Sequence, residues 1–354
     1  MLELMRQAEM EQVVALNDPA TGLLGYIVIH DTTRGPGLGG CRLWHYDSAD
    51  EALADGVALA RAMTRKCALA GLAAGGAKGV FLDHDGISDR REMLRALGRY
   101  VDSLGGRFYT SGDLGLGPQD IAHIRETSRF VAVPDDRQLD LSGAVAAGLL
   151  SAMRVTLQTA DLSPDLAGKR VAVQGLGAMG SRVAAMLVEA GATVVATDVD
   201  PDRQSKVAAD LGLETCDAGD IYDADVDIFS PCATGGVLDT KTIPQLKAKI
   251  VVGAANNQLG DDAADRLMVE RGIRYAPDYA VNAGAVILSA LALALRGTGP
   301  GSVGEVVERI GETVTRIFHQ ADARGLAPGA VADQLAEEAL VRPKTTERQW
   351  WPIH

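Results

Sequence analysis

The chain has 354 residues, of which 47% are hydrophobic, enough for two domains with ordinary globular cores. Its net charge of −13 argues against nucleic acid as the main partner, although a local lysine can still bind a small anion. The start, MLELMRQAEM, is charged and lacks the long apolar run of a secretory signal, and no apolar run with suitable flanks reaches membrane-spanning length, so neither export nor a membrane is expected.

In chain order, residues 11–16 (EQVVAL) and 24–30 (LGYIVIH) read as strands joined by a turn around Asp18-Pro19-Ala20-Thr21-Gly22. Residues 35–40, GPGLGG, are too glycine-rich for regular structure. A long helix is predicted over 49–70, then a loop, GLAAGGAKG, then a short strand Val80-Phe81-Leu82. Another helix spans about 88–104, and a short strand near Phe108-Tyr109 runs into Ser111-Gly112-Asp113. This half alternates strands and helices, so it is α/β in its own right. The polar stretch 135–142 (DDRQLDLS) precedes an apolar helix, 143–159, and marks a domain crossing.

Beyond it the pattern is doubly wound. Strands are predicted at 170–174, 193–197, 226–230, 249–253 and 273–276, with helical segments between them. A long helix over about 303–325, a last helix and an aromatic tail (Trp350, Trp351) follow, and the tail is expected to return to the first domain. The expected fold is α/β in two domains separated by a cleft. Residues 1–142, completed by 326–354, form an α/β catalytic and substrate domain, and 143–325 form a Rossmann dinucleotide-binding domain.

Residues 174–180, QGLGAMG, join a short apolar strand to an apolar-periodic helix, with an acid, Asp198, ending the next strand. That is the arrangement of a dinucleotide-binding turn. Gly175 permits the tight turn, Gly177 lets backbone approach a pyrophosphate, and Gly180 lets the helix pack on the strand. Leu176, Ala178 and Met179 complete the loop, whose N–H groups face the phosphates. Asp198 accepts hydrogen bonds from a ribose 2′-OH and repels a 2′-phosphate, which favours NAD over NADP.

Two lysines and an acid stand out. Lys66 falls on a helical stripe with Leu59, Met63 and Ala70, where an amine is anomalous unless its stem snorkels. Lys78 lies in Gly75-Gly76-Ala77-Lys78-Gly79, where missing side chains let a ligand approach and where a lysine suits proton transfer. Asp113 follows a short strand, at the carboxyl end where α/β sites form, though an Asp in a turn is commonly a turn former. The cysteines Cys41, Cys67, Cys216 and Cys232 form no CxxC pair, and the six histidines form no ligand pattern. Reduced thiols, a cytoplasmic location and no metal are therefore expected.

Seven blocks in order carry a resemblance over nearly the whole chain: GPGLGGCR (35–42), ARAMTRKCALAGLAAGGAKG (60–79), YTSGDLG (109–115), QGLGAMG (174–180), PCATGG (231–236), GAANNQL (253–259) and APDYAVNAGA (276–285). With them the chain resembles the glutamate/leucine/phenylalanine/valine dehydrogenases, the leucine–phenylalanine branch most closely. The resemblance implies that Lys66 binds the substrate carboxylate, that Lys78 is the general acid/base, and that Asp113 relays the protons of the amine and ammonia. It places Gly39 and Gly40 in a loop against the substrate and Asn256 against both substrate and cofactor. Cys232, Ala233 and Thr234 lie over the adenosine ribose and pyrophosphate, Ala255 beside them, and Asn282 near the nicotinamide. The implied reaction is reversible NAD-dependent oxidative deamination of an L-amino acid to a 2-oxo acid and ammonia, through an iminium that a Lys78-activated water attacks, in a homo-oligomer.

Three positions depart from the family. Its GGGK-Ser/Thr is Gly75-Gly76-Ala77-Lys78-Gly79 here, its NAGG is Asn282-Ala283-Gly284-Ala285, and Val145 stands where relatives place a threonine on the nicotinamide carboxamide. No extra basic residue awaits a glutamate γ-carboxylate, which favours an apolar or aromatic side chain, with Leu38, Leu43, Leu114, Val145, Val286 and Ser289 as candidate pocket residues. Two alternatives stand beside this expectation. One is a specialised paralogue acting on tryptophan or an unusual amino acid in biosynthesis. The other is a non-catalytic NAD-binding regulatory protein, against which the intact Lys66, Lys78 and Asp113 argue.

Overall fold

The computed structural model describes residues 1–132, 139–261, 263–294 and 302–340. The first half of the polar crossing (135–138) and the tail with Trp350 and Trp351 lie outside the described residues. Contacts divide the chain into two units. One is Met1–Leu139 with Ser289–Pro300 and Ala336–His354, and the other is Asp140–Leu288 with Gly301–Leu335.

The first unit runs α1 (Leu2–Gln7), β1 (Gln12–Asp18), β2 (Leu23–Asp31), β3 (Gly37–Trp44), α2 (Ala49–Leu69), β4 (Gly75–Leu82), α3 (Arg90–Ser103), β5 (Phe108–Gly112) and α4 (Pro118–Arg125). Its sheet has the order β1-β2-β4-β3-β5. The first two neighbouring pairs are antiparallel and the last two parallel. The β1–β2 turn closes where expected, with Gly22 donating to the Asp18 carbonyl at φ +76°.

Two glycine-rich stretches expected to be irregular are strands instead. Residues 37–40 belong to β3, and the supposed loop from Gly75 belongs to β4. Glycine disfavours an isolated strand, but here it permits close approach. A Cβ on Gly39 would collide with the Ala77 carbonyl, and one on Gly76 with the backbone of Thr64 and Ala60 on α2. The tertiary contact thus overrides the local preference.

Helix α2 starts where Ser48 caps it, its Oγ accepting from the Glu51 N–H at 3.1 Å. Its buried stripe is Ala52, Leu53, Gly56, Val57, Ala60 and Thr64. Leu59 and Met63, expected on the core face, are only half-buried. Small residues define the packing face because they bring the helix close to the sheet. A Cβ on Gly56 would meet the side chains of Val80 and Val28.

The second unit runs α5 (Leu141–Thr159), β6 (Arg170–Gln174), α6 (Ala178–Glu189), β7 (Thr193–Thr197), α7 (Pro201–Leu211), β8 (Glu214–Thr215), β9 (Ile228–Pro231), β10 (Ile250–Val251), α8 (Ala264–Glu270), β11 (Arg274–Tyr275), α9 (Asp278–Val281), the start of α10 (Gly284–Ala294, with Ser289 onward in the first unit), α11 (Val303–Arg324) and most of α12 (Pro328–Ala339, with Ala336 onward in the first unit). Its strands pair in parallel in the order β11-β10-β9-β6-β7-β8. Counted from β6, that is the 3-2-1-4-5-6 order of a doubly wound dinucleotide fold, with its switch point between β6 and β9. β8, only two residues long and exposed, was not anticipated.

Helix α5 corrects one expectation on length alone. At 19 residues and a mean hydropathy of 1.2 it is long and apolar enough to cross a membrane. It packs against α6, α9 and α11 with most of its residues buried, so its apolarity is that of a core helix.

Candidate active site

In the first unit, strand alternation puts Gly76, Lys78 and Val80 on the face of β4 that α2 covers. Lys78 is 5% exposed, yet its amine has a partner, with Nζ 2.6 Å from Asp113 Oδ2. Asp113 reaches it because β5 lies beside β3 and ends at Gly112. Gly40 leaves room for the approach, since a Cβ there would come within 3.0 Å of the Asp113 Cβ. Gly39 and Gly40 therefore sit in β3, not in a loop, and they let the lysine strand and the aspartate turn close on each other. Lys66 is buried in the last turn of α2, the helix covering the Lys78 face.

Sequence reasoning missed Arg42. Its Nε donates to the same Asp113 Oδ2 at 2.9 Å, and its Nη1 to Asp55 Oδ2 at 2.8 Å. Tyr46 donates its hydroxyl to that Asp55 oxygen at 2.7 Å. Period-two alternation along β3 would have placed Arg42 on the face of Gly40, but β3 was not read as a strand. The same alternation turns Leu43 to the opposite face, which removes it from the candidate side-chain pocket, while Leu114 is 51% exposed.

The electrostatics follow. Burial raises the Asp113 carboxyl pKa, but the Lys78 ammonium and Arg42 guanidinium outweigh it and hold the group below the usual carboxylate range. Neighbouring Cys41 is fully buried, which pushes its thiol up to about 12, and its sulfur accepts the Thr110 hydroxyl. It is a small core residue rather than a nucleophile.

In the second unit, the carboxyl ends of β6, β7, β9 and β10 gather the predicted cofactor residues. Gly175 turns at φ +95°, and a Cβ there would meet Ala233 at 2.6 Å. Cys232 donates its N–H to the Gln174 carbonyl at 2.8 Å, and a Cβ on Gly180 would meet the Gly175 carbonyl and the Cys232 side chain. Gly177 caps α6 with open space where its Cβ would be, Ala178 is exposed and Met179 half-exposed, whereas Leu176 is buried. Ala255 donates its N–H to the Pro231 carbonyl, and Ala233 and Thr234 are exposed at the rim.

Asp198 is more engaged than expected. Its Oδ2 accepts the Leu176 N–H at 2.7 Å, and its Oδ1 accepts from Asp200 N at 2.9 Å and Arg203 Nη1 at 3.1 Å. Burial raises its pKa, but these donors prevail and hold it below the usual carboxylate range. About one of its roughly four lone-pair sites is left for a ribose hydroxyl.

Asn282, only 7% exposed, donates Nδ2 to the Ala254 carbonyl at 3.2 Å and to Asn256 Oδ1 at 2.9 Å. Its buried Oδ1 has no protein partner. Asp278, also missed from sequence, fixes the neighbouring turn by accepting the Asn257 N–H at 2.6 Å, with Asn257 at φ +53°. An orphaned buried amide oxygen, a glycine-lined helix N-terminus and an ionised acid at the second strand end fit a bound NAD.

Profiles of known families match both halves of the chain. One described as "Glu/Leu/Phe/Val dehydrogenase, dimerisation domain" matches residues 10–130, and "Glutamate/Leucine/Phenylalanine/Valine dehydrogenase" matches 201–325. The NAD-binding domain of D-isomer specific 2-hydroxyacid dehydrogenases matches 147–253. Phenylalanine dehydrogenase of Bacillus thermotolerans is 40% identical over 343 residues, 95% of this chain and 89% of the relative. Leucine dehydrogenase of Bacillus cereus is 37% identical over 347 residues, 97% and 94% of the two chains. The crystal structure of L-tryptophan dehydrogenase from Nostoc punctiforme superposes with a TM-score of 0.80 at 35% identity, covering 96% of this chain and 98% of that one.

Proposed function

The chain belongs to the Glu/Leu/Phe/Val dehydrogenase family, and we propose that it catalyses the reversible NAD-dependent oxidative deamination of an apolar or aromatic L-amino acid. The observation that carries this reading is the pairing of buried Lys78 with Asp113, at 2.6 Å, in the unit matched by the family's dimerisation-domain profile.

Lys66 holds the substrate carboxylate, with Gly39 and Gly40 lining the substrate. Bound NAD supplies the acceptor for the hydride leaving the substrate Cα. The chain's N–H groups at Gly177 to Gly180 would hold its pyrophosphate, Asp198, which keeps the Leu176 N–H for itself, its ribose, and the Asn282 Oδ1 the carboxamide N–H. Cys232, Ala233, Thr234 and Ala255 form the facing wall. Lys78, once its ammonium has given up a proton and stands as the free amine, takes a proton from the water that attacks the iminium carbon. Asp113 carries protons to and from the departing ammonia. A Lys78–Asp113 pair already formed within the first unit does this with little reorganisation.

The similarity to an L-tryptophan dehydrogenase supports a second reading, in which the side chain is indole. The family and the acidic, cysteine-poor composition support a homo-oligomer in a reducing, cytoplasmic setting. Incubation with NAD and a panel of L-amino acids, followed by absorbance of the reduced nicotinamide, tests both readings. Turnover of leucine, phenylalanine or tryptophan supports the assignment and chooses among them. Binding of NAD without turnover of any amino acid or 2-oxo acid would leave a non-catalytic NAD-binding protein.

A further inference from the structure

Asp113 Oδ2 receives two cations, Lys78 at 2.6 Å and Arg42 at 2.9 Å, while Oδ1 accepts no hydrogen bond among the described residues. Arg42 is itself fixed. Its side chain is 17% exposed, its far end is held by Asp55 at 2.8 Å, and the Tyr46 hydroxyl holds Asp55 in turn. A guanidinium between two carboxylates is a rigid bridge in a way that an ammonium is not. Without it, the carboxylate could turn about its Cβ–Cγ bond and share both oxygens with Lys78.

We propose that Arg42, held by Asp55, is a positioning residue that pins Asp113 Oδ2 and so leaves Oδ1 to exchange protons with the substrate amine. The inference rests on the amino-acid dehydrogenase activity proposed above. Arg42 reaches the substrate only through Asp113, and its second task is electrostatic. It adds a positive charge beside Asp113. Burial raises that carboxyl's pKa, and Lys78 and Arg42 together outweigh it and hold the group below the usual carboxylate range. The charged or titratable groups facing Asp113 are Lys78 from β4 and Arg42 and Cys41 from β3, with Asp55 of α2 acting through Arg42.

The test compares Arg42→Met, Arg42→Lys and Asp55→Asn with the wild-type protein on its best amino acid. Arg42→Met is expected to lower kcat by roughly 10- to 100-fold with KM changed by less than about threefold. The acid limb of kcat/KM moves to higher pH, because a cation beside the pair is lost. Arg42→Lys returns the limb toward wild type but restores kcat only in part. Asp55→Asn also lowers kcat, yet moves the limb the other way, since an anion is lost. Opposed shifts cannot come from general loosening of the fold.

Wild-type kcat and limb in Arg42→Met, or full rescue by Arg42→Lys, would overturn the proposal. If Arg42→Met fails to fold, Asp55→Asn decides alone, and a wild-type kcat there overturns it. If the wild-type protein turns over no amino acid, the functional reading fails separately. Carboxyl NMR titration of Asp113 then decides the Arg42 proposal, which requires an upward move in Arg42→Met or, should that variant not fold, a downward one in Asp55→Asn.

Discussion

The Asp198 carboxylate accepts the backbone N–H of Leu176 at 2.7 Å, so the acid proposed to hold the ribose also closes the glycine loop. Asp198→Ala therefore loses two functions, and Asp198→Asn mainly one. The alanine variant is expected to raise the KM for NAD by roughly 10- to 100-fold, the size of a charge-assisted hydrogen bond. The asparagine variant keeps an acceptor but loses its charge, and its preference for NAD over NADP narrows. Steady-state kinetics with both cofactors check this, and an unchanged preference in both variants would remove Asp198 from cofactor choice.

Lys78 and Lys66 predict different kinetic losses. Lys78→Ala removes the proton acceptor and should lower kcat by roughly 10²- to 10⁴-fold while NAD binding persists. Lys66→Ala should chiefly raise the amino-acid KM. Initial rates, with cofactor fluorescence to follow NAD binding, separate the two. Equal losses in kcat and KM for both variants would refute the division of roles.

Val145 is 7% exposed on α5, and a Cβ on Gly284 would touch its backbone, so it neighbours the Asn282 segment. Val145→Thr supplies the hydroxyl expected to meet the carboxamide. The KM for NAD should fall severalfold, a gain of about 1 kcal/mol from one hydrogen bond. Without cofactor, the buried hydroxyl should lower the melting temperature by a few degrees, and saturating NAD should restore it. An NAD affinity that does not improve would place the carboxamide elsewhere.

Acid should weaken the fold through Asp113 and Asp198. Both are held below the usual carboxylate range when folded. Their contribution is complete above the unfolded value, ~3.9, and is lost as pH falls through the lower folded values. Urea midpoints measured from neutral pH downward should fall less steeply below about pH 4 in Asp113→Asn and Asp198→Asn than in the wild type. Parallel curves would show that neither group is linked to folding.

Gly39→Ala should be among the most damaging small changes in the first unit, because its Cβ meets the Ala77 carbonyl on the strand that carries Lys78. A separation of β3 from β4 would lower the melting temperature and kcat together. Retention of both would show that the sheet can open there at no cost.

The second unit was largely legible from sequence because its signals are local. Apolar runs of strand length, a glycine triplet at a strand end and an acid ending the next strand lie within thirty residues of one another. Lys66, Lys78 and Asp113 were legible as individuals, by amines in apolar or glycine-rich settings. Their partners were not. Arg42, Asp55 and Tyr46 carry no local signal along the chain, and only the adjacency of β3, β4 and β5 brings Arg42 to Asp113 across 71 positions.

The glycine-rich segments show the same limit from the other side. Sequence assigns a glycine run to a loop because an isolated glycine backbone has the most freedom to lose. In the folded sheet those glycines admit a neighbouring backbone that any side chain would exclude, and the enclosed contact outweighs the entropy. By itself, then, the sequence determined the dinucleotide fold and singled out the candidate groups Lys66, Lys78 and Asp113, whose signals are written in nearest neighbours. The tertiary structure alone decided which carboxylate oxygen each cation holds, because strand order and close packing create that geometry between residues distant along the chain.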